Sequence, residues 1–264
     1  MDIRIINPNT TASMTALIGR CAQAAAASGT RITAVSPKMG PASIESHYDE
    51  ALSVPGILEE IRHGERDGAD AYVIACFGDP GLYAARELAH GPVIGIAEAA
   101  MHMASLIGNS FSVVTTLERT VGMAWHLAER YGMRHACRNV HASDLPVLDL
   151  EKPGSNARGI ILQACRDALA QDRSDCIVLG CAGMADLCED LSAELGVPVI
   201  DGVVAAQAAA RRSVASRTRT AALDTALAAF DTAARAALSA ASGARGLAGQ
   251  LADLQFADLK PTAS

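Results

Sequence analysis

Aromatic residues are scarce in this chain of 264 residues: one Trp, four Tyr and four Phe make up 3% of it, although half of all residues are hydrophobic. Alanine and the aliphatic side chains must fill the interior, which is the composition of parallel sheets covered by helices. Dense Lys/Arg stretches are also missing, and the formal net charge is −7. Both facts argue against nucleic acid or an anionic membrane surface as the main partner. Apolar runs are broken by Gly, Pro or charge well short of the roughly 18 residues that suggest a membrane span, so none is expected. An apparent strand begins almost at once (Asp2-Ile3-Arg4-Ile5-Ile6), which leaves no room for a signal peptide; the cytoplasm is the expected location.

Several motifs are absent. The seven cysteines contain no C-x-x-C pair and no Cys–His cluster at zinc spacing, so no metal is expected. A disulfide framework is not expected in a large domain without export signals. No G-x-G-x-x-G follows a strand, and neither G-x-x-x-x-G-K-[ST] nor G-x-S-x-G occurs. Nicotinamide, nucleotide and serine-hydrolase chemistry therefore lose support, and no cofactor is expected.

What is present is a repeat. Residues 71–82 read AYVIACFGDPGL and residues 176–187 read CIVLGCAGMADL, which places Cys76 and Cys181 105 residues apart in matching surroundings. GPVIG at Gly91–Gly95 returns as VPVID at Val197–Asp201, and IRIINPNT at Ile3–Thr10 is echoed by FSVVTTLERT at Phe111–Thr120. Three landmarks at nearly one offset indicate a duplicated α/β unit. Two thiols at matching strand ends can stand on opposite sides of one cleft, a geometry suited to moving a proton from one face of a carbon to the other.

The periodicity alternates throughout. Strands are expected at Ile3–Asn7, Arg31–Val35, Ala71–Ala75, Phe111–Thr115, Arg138–His141, Cys176–Gly180 and Val197–Ile200. Helices are expected around Met14–Cys21, Val54–Arg66, Glu98–Leu106, Arg119–Tyr131, Ala157–Ala170 and Val203–Leu238, with a long loop at Ser36–Tyr48. The fold class is α/β, with two pseudo-symmetric lobes, each a mostly parallel sheet flanked by helices, and the site in the cleft between them. Residues 1–97 plus 203–238 form the first lobe in this reading, 98–202 the second, and 239–264 a flexible tail.

Ligands of parallel sheets bind beyond the carboxyl ends of the strands. Those ends carry Asn7-Pro8-Asn9-Thr10, Cys76-Phe77-Gly78-Asp79, Thr115-Thr116 and Cys181-Ala182-Gly183-Met184. Helix N-termini after the Cys-x-Gly turns would lower a thiol pKa from about 8.5, and the same N–H groups could hold an enolate oxygen. A lone strand-end Cys is usually a small buried residue; it is the pairing that favours chemistry. Cys21 and Cys176 read as structural. Asn7 and Asn9 admit two readings, amide donors to a substrate carbonyl or residues that shape a turn and cap a helix. Thr115 and Thr116 hold the matching place in the second unit. His47 and His102 have no partner spacing, and Asp79 and Asp201 read as turn or cap residues.

INPNT, ACFGDPGL, VVTT, VLGCAGM and VPVIDGV, taken together over about residues 1–238, resemble the aspartate/glutamate racemase superfamily, and within it the hydantoin and allantoin racemase branch. The resemblance implies a cofactor-independent enzyme with one catalytic cysteine per lobe, here Cys76 and Cys181. It places the substrate loops at Asn7–Thr10, Pro41-Ala42-Ser43-Ile44, Phe77-Gly78, Thr115-Thr116 and Ala182-Gly183. In the implied reaction one cysteine, as thiolate, removes the hydrogen on the stereogenic carbon and the other, as thiol, protonates the opposite face. Arg119 is the nearest basic residue to these loops, whereas free aspartate or glutamate would want an Arg or Lys for its carboxylate. A neutral cyclic ureide fits better, and a homo-oligomer is the expected assembly. The competing readings are an amino-acid racemase, a decarboxylase or cis–trans isomerase on the same fold, a metabolite-binding protein, and a thiol redox protein.

Overall fold

The structure is a computed structural model and describes residues 1–218. Met1–Val214 forms one compact unit; Ala215 opens a second, of which 215–218 are helical. The expected tail at 239–264, and 219–238 of the expected last helix, lie outside the described residues.

The first half runs β1 (Asp2–Ile6), α1 (Ala12–Ala24), β2 (Arg31–Val35), α2 (His47–Asp67), β3 (Ala71–Ile74), α3 (Leu82–Leu88) and β4 (Val93–Gly95). The second runs α4 (Ile96–Ile107), β5 (Phe111–Thr115), α5 (Glu118–Arg130), β6 (Cys137–Ala142), α6 (Ala157–Asp172), β7 (Cys176–Leu179), α7 (Cys188–Leu195) and β8 (Val199–Ile200), with 3-10 turns at Val147–Asp149 and Ala182–Leu187. A helix follows over 202–218. Two four-stranded sheets result, ordered β2-β1-β3-β4 and β6-β5-β7-β8, with every pairing parallel. The identical strand order is the structural form of the sequence repeat.

The register carries the repeat down to single bonds. Ile6 lies opposite Ile74, and Val114 opposite Leu179. Ala75 N–H donates to the Ile6 carbonyl at 2.8 Å, and Gly180 N–H to the Val114 carbonyl, also at 2.8 Å. Cys76 and Cys181 each follow immediately. Connections leave β1 and β3 toward opposite sides of the sheet, as they do β5 and β7, so each cysteine sits at a topological switch point, where open α/β sheets bind ligands.

Small side chains let the halves pack closely. Ile96, Ala97, Ala99, Ala100, Met101 and Ala104 are the buried face of α4. They join Ile3, Ile5 and Val73 of one sheet and Phe111, Val113 and Val178 of the other in a single apolar cluster. Fully burying a side chain such as Phe111 contributes about 1.5–3 kcal/mol, and Phe111 is buried completely.

The helices depart from the sequence expectation in two ways. The second helix begins at His47, not at Val54: Ser46 caps it, its hydroxyl accepting from Asp49 N–H at 3.2 Å. Pro55, of a residue type that favours the first helical position, lies inside α2. The helices α3 and α7, with seven and eight residues, were not anticipated, since neither is long enough to show a 3.6-residue period.

Candidate active site

Loops from the carboxyl ends of both sheets line one cavity of about 50 Å³. Cys76, Phe77 and Gly78 come from the end of β3, Cys181 and Ala182 from the end of β7, and Thr115 and Thr116 from the end of β5. Asn9 follows β1, and Ile44 lies in the loop before α2. Nine of the eleven residues expected at the site therefore border the cavity; Asn7 and Gly183 do not.

The two thiols have matching surroundings. Each accepts a hydrogen bond from the backbone N–H of the glycine two residues on, Gly78 for Cys76 and Gly183 for Cys181. Each cysteine carbonyl also accepts from the residue three positions on, Asp79 at 3.0 Å and Met184 at 3.1 Å. Gly183 thus serves the thiol from outside the cavity. These N–H donors favour thiolate, as the sequence suggested, yet burial outweighs them. Burial pushes Cys181 up to about 11, helped by the charge of Glu45. It pushes Cys76 higher still, with Glu50, Cys181 and Asp79 adding to the rise. The expected lowering is therefore reversed, because desolvating a thiolate costs more than one backbone donor returns.

The asparagines divide the two roles proposed for them. Asn7 Nδ2 donates to Asn9 Oδ1 and to Thr15 Oγ1, both at 2.9 Å, so its amide is spent inside the protein. Asn9 Oδ1 also accepts from Thr11 N–H at 2.9 Å. With its oxygen held twice, Asn9 presents Nδ2, whose one acceptor among the described residues is the weak Met14 sulfur at 3.3 Å. That amide is free to donate to a substrate oxygen. Thr115 Oγ1 lies 2.9 Å from Thr120 Oγ1, and the Thr120 hydroxyl donates to the Leu117 carbonyl at 2.7 Å, which leaves the pair fixed at the cavity wall.

Sequence reasoning missed several lining residues: Met14, Glu50, Thr120, Met123, Ala124 and Val147. Met14 lies on the buried face of α1. Nothing local marks it as facing a ligand instead of the core. Glu50 was hidden by the misplaced start of α2; the Ser46-x-x-Asp49 cap was the signal that would have put it in a first helical turn. Arg119, noted as the nearest basic group, is exposed, pairs with Glu45 at 3.1 Å and does not line the cavity.

Asp79 and Asp201 are caps, but of different kinds. Asp201 caps its own helix, accepting from Val203 N–H at 2.9 Å and Val204 N–H at 3.0 Å. The repeat puts Gly95 in the matching place, and α4 receives its carboxylate from Asp79, three residues beyond Cys76. Ala97 N–H donates to Asp79 at 3.1 Å, Glu98 N–H at 2.9 Å and the Tyr131 hydroxyl at 2.7 Å. Burial still pushes the Asp79 carboxyl up to about 6. A Cβ on Gly95 would overlap that carboxylate. Gly95→Ala should therefore lower stability by about 1–3 kcal/mol, read from the urea midpoint. Gly122→Ala in α5, where a Cβ meets nothing within 4 Å, is the matched control and should stabilise by up to about 1 kcal/mol.

Duplicated parallel sheets, a thiol at each switch point and one cavity bordered by both define a two-sheet α/β protein of the racemase class. Comparison with known proteins agrees. The model of the Asp/Glu/Hydantoin racemase family matches residues 3–210, and the chain belongs to that family. It is 52% identical to a hydantoin racemase of Pseudomonas sp. (strain NS671) over 205 residues, covering 78% of this chain and 82% of that one. An allantoin racemase structure from Klebsiella pneumoniae superposes with a TM-score of 0.80 at 54% identity, covering 81% of this chain and 88% of that one. One from Pseudomonas fluorescens gives 0.77 at 36% identity, covering 80% and 90%. The protein is an isomerase, a racemase acting on a small molecule. No helix among the described residues is long and apolar enough to cross a membrane.

Proposed function

We propose that this protein interconverts the two hands of 5-substituted hydantoins, allantoin among them, in the cytoplasm, with Cys76 and Cys181 as the paired acid and base. The observation that carries the reading is the pair of half-buried cysteines, one from each half, bordering one cavity with a matching glycine N–H on each sulfur. All seven cysteines are free, which suits a reducing compartment. The thiolate takes the hydrogen from C5, and the electron pair left behind spreads onto the neighbouring carbonyl as an enolate. The opposite thiol then gives its proton to the other face of C5. One sulfur has gained the proton that the other has lost, so the enzyme ends each turnover ready for the opposite hand. Asn9 Nδ2 is a donor within reach of the cavity for the enolate oxygen.

The substrate class follows from the lining. Met14, Ile44, Phe77, Met123, Ala124 and Val147 are apolar, and no Lys or Arg among the described residues borders the cavity. A free amino-acid carboxylate would be desolvated there without a cation, at a cost of several kcal/mol. A neutral ring is not penalised in this way. The test is proton NMR in deuterium oxide on single enantiomers of benzylhydantoin, allantoin and aspartate, against an enzyme-free control. Fast exchange at C5 of the two rings and none with aspartate is expected. Exchange of aspartate alone would overturn the assignment in favour of an amino-acid racemase.

A further inference from the structure

Glu50 is the only charged side chain other than a potential thiolate that borders the cavity among the described residues. It stands in the first turn of α2, where a carboxylate favours the helix dipole. That role would be served equally well by a carboxylate in solvent. Glu50 instead has only 19% of its side chain exposed, and its one ion-pair partner among the described residues, His47 Nδ1 at 3.2 Å from Oε2, is itself 71% exposed. This is poor compensation for a carboxylate taken largely out of water. Burial accordingly raises its pKa despite His47. Among the described residues, Oε1 is committed to no such bond. It lies against Gly78, at a point where a Cβ on that residue would overlap it, and Gly78 N–H is the donor to the Cys76 sulfur. An open acceptor thus stands beside one of the two sulfurs that must flank C5.

Resting on the hydantoin reading, we propose that Glu50 is a specificity residue: its Oε1 accepts the ring N–H bonded to C5, N1–H, and its charge rejects rings that carry a carboxylate. The position next to Cys76 selects N1 over N3, because N1 is attached to the carbon that the sulfur approaches and N3 lies across the ring. A hydrogen bond to a charged acceptor contributes roughly ten- to a hundredfold in binding, and a like charge in a site of low polarity opposes it by a similar factor. The adjacent glycine leaves the space that the acceptor occupies.

The test sets wild type beside Glu50→Gln, with Glu50→Ala as a second variant and circular dichroism to check folding. The substrates are 5-benzylhydantoin, its N1-methyl and N3-methyl derivatives, and 5-carboxymethylhydantoin. Glu50→Gln should lower kcat/KM for the parent and the N3-methyl ring about ten- to a hundredfold, chiefly through KM. It should leave the N1-methyl ring, already poor with wild type, unchanged, and should raise kcat/KM for the carboxymethyl ring. An equal fall on all four substrates would overturn the proposal and make Glu50 a structural residue. A loss confined to rings bearing N3–H would overturn the choice of N1. If wild type failed on every hydantoin, the underlying reading would fall instead, and that result shows before any variant is made.

Discussion

Cys76→Ser and Cys181→Ser should each lower racemisation of benzylhydantoin by at least about a thousandfold, the range of a lost general acid or base. A hydroxyl titrates far above a thiol, so it neither removes the C5 hydrogen nor readily gives up its own proton. The two variants should differ in what survives. When one thiol remains, it still faces one side of the ring, and the enantiomer whose hydrogen points at it can be deprotonated and redeuterated on that same face. Exchange with retention should therefore persist for one hand in Cys76→Ser and for the opposite hand in Cys181→Ser. Chiral chromatography follows inversion while NMR follows exchange, so the two rates can be read from the same sample. Near wild-type inversion by either variant would sink the two-base mechanism. Removing a single base shared by both faces could not give mirror-image survivors.

The second large effect concerns pH. Burial pushes Cys181 up to about 11 and Cys76 further, so in the free enzyme near neutrality both groups are almost wholly thiol. In the proposed two-base mechanism, productive binding needs one of them ionised. The sign follows directly: raising pH increases the thiolate fraction, and kcat/KM should climb about tenfold per pH unit, close to a hundredfold between pH 7 and 9. The apparent values belong to the coupled pair, and the descending limb begins where the second thiol also ionises. An N3-methyl ring is the substrate of choice because it cannot ionise at the imide nitrogen. Alkylation by iodoacetamide, a direct report of thiolate, should rise along the same curve in wild type. A flat profile across this range would mean that one thiol is already ionised in the free enzyme, against the burial argument.

Much of this was legible in the sequence because duplication writes the same information twice. A Cys-x-Gly after an apolar run means little once. Its return 105 residues later, between two other matched landmarks, located both switch points and nine of the residues that line the cavity. What stayed hidden depends on contacts made through space. Met14, Met123 and Val147 carry no local mark that separates facing a ligand from facing the core. The trans cap of Asp79 on α4 could not be foreseen from either segment alone, although a glycine at position 95 where the repeat has Asp201 was the visible trace of it. The sign of the thiol pKa shift was misread for a related reason. Helix ends and glycine turns are local and visible, whereas the depth of burial that overrules them is a property of the whole fold.

The unequal charged surroundings of the two sulfurs have a thermodynamic consequence. Mirror-image molecules have equal free energies in water, so at equilibrium the two hands of a ring with one stereocentre stand in equal amounts. The ratio of the forward and reverse kcat/KM values must therefore be unity, whatever the walls of the cavity are like. A chain of L-residues cannot offer a true mirror plane, and here the halves differ, with Glu50 beside Cys76 and Glu45 acting on Cys181. That asymmetry can never favour one product. It can only make one hand bind more tightly and turn over more slowly than the other, in exact compensation.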